Sequence, residues 1–210
     1  PVCVDVGEDG QLSPTLVEDA LKQHPDTHAI LAVHMWGNAC DTHGLQQVAD
    51  RYGVKSFYDG AHCLGTTVQV GGREIPIGSF GDAIVFSAAA TKPVSAGELG
   101  LIVTNNDSLN ADLLDGMAHG MYGSLDTRIR GLNGKTQEFN SILAHHALNM
   151  FPATKARRAF LMERYRTKLA ELPVRVWKTR DGVNPSYKDC VIFLSNNSVR
   201  NGLEKYLNEN

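Results

Sequence analysis

An acidic residue and a lysine follow two strand-like segments of the chain, near the point where each segment ends. Asp59 follows the run Val54–Tyr58, and Lys92 follows the run Phe80–Ser87 after a short alanine-rich stretch. Ligands of open α/β sheets bind at the carboxyl ends of the strands, so both charged groups are expected at a ligand-binding edge. A carboxylate there can pair with a protonated pyridine nitrogen, and an amine can form a Schiff base with an aldehyde. These are the two groups that pyridoxal phosphate requires of a protein.

Each of these residues also has a purely structural explanation. An Asp after a strand commonly caps a turn or a helix, and a single lysine is commonly a solvated surface amine. Trp36 and Tyr58 could line a substrate cleft, but aromatic residues beside strands more often belong to the core. The interpretation therefore depends on the combination of residues and on the segments around them.

Several segments in one fixed order support the combination. They read Val33-His34-Met35-Trp36-Gly37, Asp59-Gly60-Ala61-His62, Gly78-Ser79-Phe80-Gly81-Asp82, Phe86-Ser87 and Thr91-Lys92. This order resembles the DegT/DnrJ/EryC1/StrS family of sugar aminotransferases, which are pyridoxal-phosphate enzymes of fold type I. The resemblance implies pyridoxal 5'-phosphate as the cofactor.

The resemblance also implies roles for individual residues. Lys92 matches the lysine that bonds to the cofactor and moves protons, and Asp59 matches the carboxylate that faces the pyridine nitrogen. Ser87 matches a hydroxyl donor to the cofactor phosphate, and His62 stands near the cofactor's phenolic oxygen. Asn133 matches an asparagine that reaches the phosphate in the neighbouring subunit, which implies a homodimer with shared active sites.

The match is weaker around Asn133 than elsewhere. Gly134 replaces an aromatic residue of the family pattern, and Lys135 replaces an arginine that could bind bidentately. A simple loop before a helix remains an alternative for this segment.

The activity that the resemblance implies is amino transfer to a nucleotide-linked keto sugar, with glutamate as the usual amino donor. A dehydratase branch of the same family carries His in place of the lysine, and Lys92 argues against that branch. A nicotinamide-binding domain would need a Gly-x-Gly-x-x-Gly turn directly after a strand, and the sequence has none. A catalytically silent fragment, or a binding or structural module of the same fold, stays open.

The length of the chain points to an incomplete enzyme. Pro1–Val6 resembles a segment that lies well inside the large domain of family members, and Leu203–Asn210 resembles a small-domain helix after which they continue. We therefore expect an internal piece of a longer enzyme, with weak cofactor affinity on its own.

Strand-like and helix-like patterns alternate along the chain, which predicts an α/β fold. Ala29–Val33 has the apolar composition of a buried parallel strand, and Asp41–Tyr52 has helical spacing closed by Gly53. With the next strand they form a unit that favours a mainly parallel sheet flanked by helices. By resemblance, this is the large domain of a fold type I enzyme. We assign residues 1–152 to it, and residues 153–210 to a linking helix and the start of a small α+β domain.

Further elements follow from local patterns. We expect a hairpin at 66–72, a buried strand at 99–104, helices at about 108–119, 136–150 and 153–172, and short strands at 174–176 and 190–194.

Composition is that of an ordinary globular protein, expected to be cytoplasmic. The formal net charge of -3 gives no basic excess for nucleic acid, and no apolar stretch approaches membrane-spanning length. The four cysteines and eight histidines show no ligand spacing, so we expect no metal site and free, buried thiols.

Overall fold

The computed structural model describes residues 1–209. The helices among them are α1 (Pro14–Gln23), α2 (Thr42–Tyr52), α3 (Asp107–Met117), α4 (Glu138–Leu169) and α5 (Asn197–Glu209). The strands are β1 (Ala29–Val33), β2 (Lys55–Asp59), β3 (Thr67–Val70), β4 (Arg73–Pro76), β5 (Ala83–Ser87), β6 (Gly100–Val103), β7 (Arg175–Val176), β8 (Val183–Asn184) and β9 (Ile192–Phe193).

The central sheet has the strand order β1-β2-β5-β6. The first three strands are parallel, and β6 runs antiparallel to β5 at the edge. The α/β fold with helices against a largely parallel sheet is confirmed, although the sheet is mixed.

One face of this sheet is closed and the other is open. Ile30, Tyr58 and Ile84 point into the closed face, where they form the core together with residues of α1 and α2. We call the opposite side the open face, defined by the partly exposed side chains of Leu31, Val33, Val85 and Ile102.

The open face corrects two expectations about burial. Ala29–Val33 is a parallel strand, as predicted, but its burial alternates and Leu31 is 67% exposed. The strand expected at 99–104 is present as β6, yet Gly100, Ile102 and Val103 are exposed. An apolar run predicts a strand whose two faces can be buried, but it does not say what covers each face.

Local signals fix helix α2, which leads the chain into β2. Asp41 caps its amino end by accepting a hydrogen bond from Gly44 N at 3.0 Å. Gly53 ends the helix in the left-handed conformation at φ 65°, where a glycine carries no steric penalty. Leu45 and Val48 face the core, and the chain then turns directly into the strand that ends at Asp59.

The predicted hairpin is confirmed as β3 and β4, joined at Gly71-Gly72. Strand β8 adds to β3 on its other side, a pairing that joins residues more than 110 positions apart and that no local pattern indicated. The predicted strands at 174–176 and 190–194 are present in shorter form as β7 and β9, which pair antiparallel.

Helix α4 differs from its prediction. Two helices were expected, at 136–150 and 153–172, but a single 32-residue helix runs through Pro152. Proline removes one backbone donor, and the helix-favouring residues on both sides outweigh that loss. The expected domain boundary at residue 152 lies inside this helix, and the division into two domains stays a prediction.

Candidate functional site

Asp59 and Ser87 lie at the carboxyl ends of two neighbouring parallel strands. Asp59 pairs with Val85 in the register of β2 and β5, and Ser87 is two residues further along β5. Because side chains alternate along a strand, Asp59, Val85 and Ser87 all point to the open face. The structure thus brings these two predicted residues to one edge of one face.

Local hydrogen bonds hold both side chains in turns that follow the strands. Asp59 Oδ1 accepts a hydrogen bond from Ala61 N at 2.9 Å, and Ser87 Oγ accepts one from Ala89 N at 3.3 Å. Within residues 1–209, Asp59 Oδ2 accepts no hydrogen bond and Ser87 Oγ donates none. A half-buried carboxylate oxygen and a hydroxyl hydrogen are therefore available to a ligand.

Lys92 lies in the tight loop after β5. Its backbone N–H donates a hydrogen bond to Ala89 O at 2.9 Å. Ala96 N donates one to Ala88 O at 2.8 Å, which closes the loop. The side chain is half-buried and forms no ion pair with a described residue. An amine held beside the strand end without a carboxylate partner is open to covalent bonding and proton transfer.

His62 lies where it interacts electrostatically with both Asp59 and Lys92. Its Nδ1 accepts a hydrogen bond from Trp36 N at 3.4 Å, so a neutral His62 carries its proton on Nε2. Burial lowers the pKa of His62 first of all, and the nearby charges of Lys92 and Lys188 lower it further, against the opposing effect of Asp189 and Asp59. The lowered pKa favours the neutral imidazole, which carries its N–H donor at Nε2.

No hydrogen bond or ion pair among residues 1–209 connects Asn133 to these residues. Asn133 is exposed in the loop before α4 and forms an isolated backbone bridge with Ala118. Leu132 N and Gly134 N donate to Gly116 O and Met117 O, which ties this loop to the end of α3. Its expected role at the cofactor phosphate of a neighbouring subunit stays a prediction.

Sequence reasoning missed a second segment at the site, Pro185–Asp189, which we call the Ser186 segment. Ser186 is fully buried; its N donates to Gly37 O and Thr66 Oγ1, each at 3.0 Å, and its Oγ donates to His62 O at 2.7 Å. A Cβ on Gly37 would lie only 2.5 Å from Ser186 Oγ, so this close approach requires glycine. The segment is more than 120 residues from His62 in sequence, and no local motif signals the contact.

A cavity beside Trp36 adjoins the site without including the predicted residues. It has a volume of about 780 Å³ and is lined by mostly apolar side chains, among them Leu12, Val17, Leu31, Trp36 and Phe193. It lacks Asp59, Ser87 and Lys92, so we place the candidate site at the strand ends and not in this cavity.

No group of three or more His, Cys, Asp or Glu side chains among residues 1–209 is arranged to hold a metal ion. All four cysteines are free, but Cys3 and Cys190 are exposed, which corrects the expectation of buried thiols. No helix among these residues is long and apolar enough to cross a bilayer.

The strand-end carboxylate and the unpaired lysine offer the two groups that pyridoxal phosphate requires of a protein. A family model described as the DegT/DnrJ/EryC1/StrS aminotransferase family matches residues 1–210. The chain belongs to this family, whose cofactor is pyridoxal phosphate. The half-buried Asp59 carboxylate, the Ser87 hydroxyl and the Lys92 amine fit that cofactor, since each has unused bonding capacity.

Solved structures agree with this assignment. DesV of S. venezuelae, solved with a ketimine intermediate, superposes with a TM-score of 0.87 at 27% identity over 98% of this chain and 55% of its own. DesI, solved with its TDP-sugar product, superposes with a TM-score of 0.79 at 34% identity over 93% of this chain and 49% of its own. The PLP form of the putative sugar aminotransferase Spr1654 from Streptococcus pneumoniae shares the fold, with a TM-score of 0.89 at 22% identity over 100% of this chain and 59% of its own. The chain thus spans between 49% and 59% of the length of these structures.

Proposed function

We propose that this chain contributes the cofactor-binding part of an aminotransferase that acts on a nucleotide-linked keto sugar, with glutamate as the amino donor. Membership of the family supports the amino transfer, and the similarity to DesI, solved with its TDP-sugar product, supports a nucleotide-linked sugar as the substrate class. The observation that carries the proposal is the placement of Asp59, Ser87 and Lys92 around the carboxyl ends of β2 and β5.

When bound, pyridoxal phosphate supplies an electron sink for the bond that breaks at the substrate carbon. The residues of this chain would hold it and move the protons. Asp59 would keep a proton on the pyridine nitrogen through Oδ2, and Ser87 Oγ would donate a hydrogen bond to the phosphate. His62 would donate from Nε2 towards the phenolic oxygen. Lys92 Nζ would bond to the cofactor and then carry a proton to and from the substrate carbon.

A spectroscopic titration tests this proposal. Adding pyridoxal phosphate should produce a new visible absorbance band that disappears in Lys92→Ala, whereas Lys22→Ala, an exposed lysine of α1, should behave as the parent protein does. Adding glutamate should then shift the band as the amino group is transferred. A band that persists in Lys92→Ala would contradict the assignment of the lysine.

A silent fragment or structural module remains the second candidate, and the open face is the observation that favours it. Leu31, Val85 and Ile102 are between 48% and 67% exposed in this chain. Exposed apolar side chains grouped on one face are typical of a surface that binds another protein segment. The titration separates the two candidates, because a silent module has no reason to bind the cofactor through Lys92.

We also propose that the protein is a homodimer that associates through the surface around Asn133. Exposed apolar side chains near Asn133 in the sequence include Leu125, Leu132, Phe139 and Ile142, and Phe139 is 68% exposed. Light scattering should show a dimer or larger assembly, and Phe139→Asp should shift it towards the monomer. Leu207→Asp, at a similarly exposed position on α5, is the matched control. A stable monomer of the parent chain would contradict this proposal.

A further inference from the structure

The Ser186 segment is fastened to the candidate site at several points. Lys188 N donates to Trp36 O at 3.1 Å, and Ser186 Oγ bonds to His62 O, so the segment reaches both sides of the His62 contact. From behind, Arg158 Nη1 donates to the carbonyl oxygens of Tyr187 and Lys188 at 3.1 and 3.0 Å. These hydrogen bonds fix the backbone of the Ser186 segment and so restrict where its side chains can lie.

The backbone of the segment also adopts an unfavourable conformation. Tyr187 has a φ of 54°, and Trp36, which it faces across the contact, has a φ of 61°. Non-glycine residues in the left-handed region are uncommon, and they persist only where the surrounding structure enforces them. The two strained residues lie together beside His62, and they help to position the neighbouring side chains of the Ser186 segment.

Those side chains are Lys188 and Asp189, which form an ion pair. Lys188 Nζ lies 2.7 Å from Asp189 Oδ1, and the lysine side chain is only 14% exposed. The pair Lys22–Asp19 on α1 has a similar separation of 2.9 Å, but both of its side chains are 56% exposed. The comparison shows that the pair at the site is partly desolvated, whereas the other is an ordinary surface contact.

The chemistry of the pair favours a neutral, hydroxyl-rich ligand. The ammonium group has three N–H donors and the contact with Asp189 uses one of them, while the carboxylate keeps further lone pairs. A sugar hydroxyl both donates and accepts a hydrogen bond, so neighbouring hydroxyls can bind the lysine and the aspartate together. A phosphate or carboxylate would instead be repelled by Asp189, whose charge already balances that of Lys188.

We propose that Lys188 and Asp189 bind hydroxyl groups of the sugar and so help determine which sugar the enzyme accepts. This inference rests on the proposed function, because it assumes a sugar substrate beside Lys92. Neither residue takes part in the proton transfers that we assign to Lys92.

Calorimetric titration with matched ligands tests the proposal. The parent chain, loaded with pyridoxal phosphate, is titrated with TDP-glucose and UDP-glucose, and separately with TDP and UDP. Lys188→Met and the isosteric Asp189→Asn should weaken binding of the better nucleotide sugar by about tenfold, a loss typical of hydrogen bonds to charged groups. Binding of the nucleotides alone should stay unchanged, and Lys22→Met should behave as the parent chain does.

The possible results separate clearly. An equal loss for nucleotide sugars and nucleotides would show recognition of phosphate charge and would overturn the proposal. Unchanged sugar binding in both variants would leave the pair a structural contact, and a parent chain that binds nucleotide sugars no better than nucleotides would also refute the assignment. Thermal melts check that each variant folds. Failure of the proposed function is read separately from the absorbance of the cofactor on Lys92 in the same samples.

Discussion

The two faces of the central sheet use similar residues for different purposes, and two histidines make the contrast clear. His34 lies on the closed face, and His62 lies beside the open face. Each accepts a hydrogen bond at Nδ1 from a backbone N–H, which belongs to Cys40 for His34 and to Trp36 for His62. His34 is fully buried and stacks on Tyr58 with ring centroids 4.8 Å apart, whereas His62 is only partly buried among charged residues. The closed face therefore gives the fold its stability, and the open face leaves polar groups available for chemistry.

The largest expected effect compares neighbouring residues of β5 that point to opposite faces. Ile84 is 0% exposed in the closed face, and Ile84→Ala should lower the free energy of unfolding by about 2–5 kcal/mol. Val85 is 48% exposed on the open face, and Val85→Ala should cost less than about 1 kcal/mol. Urea denaturation measures both. Similar losses for the two variants would mean that the open face is covered in solution.

Asp59→Asn tests the open face by function. The amide keeps the shape of the carboxylate but loses the charge that holds a proton on the pyridine nitrogen. We expect amino transfer from glutamate to slow by about a hundredfold or more, with a much smaller change in cofactor affinity and in stability. Single-turnover absorbance measurements give the rate and the affinity separately. Equal rates in the variant and the parent would remove Asp59 from its proposed role.

The closed face should show itself in the pH dependence of stability. Burial lowers the pKa of His34 to about 3, from an ordinary value of 6.5. Between these values the unfolded chain binds a proton that the folded chain does not, so stability falls as the pH drops from 6.5 towards 3. The contribution of His34 is at most about 1.4 kcal/mol per pH unit.

Denaturation curves at several pH values measure this slope. His34→Gln should reduce it, and His24→Gln, which changes an exposed histidine, should not. An unchanged slope in His34→Gln would show that other groups dominate the acid sensitivity. The test is independent of the cofactor, so it examines the closed face alone.

The strand ends were predictable from sequence because their signals are local. Asp59 and Ser87 each end a short strand-like run, and the Asp41 and Gly53 caps fix the helix that comes before β2. The burial of Leu31 and the continuity of α4 through Pro152 were predicted wrongly, since the first depends on what covers a face and the second on the balance of a whole helix. The Ser186 segment could not be predicted, because its contact with His62 joins positions 124 residues apart.

Our central proposal is that the candidate site at the carboxyl ends of β2 and β5 binds pyridoxal phosphate through Lys92. Mapping the bound cofactor tests it directly: the chain is incubated with pyridoxal phosphate, reduced with borohydride, digested, and analysed by peptide mass spectrometry. We predict that the cofactor is trapped on Lys92 at concentrations that leave exposed lysines such as Lys22 and Lys205 unlabelled. Labelling of those surface lysines with Lys92 unmodified would contradict the account.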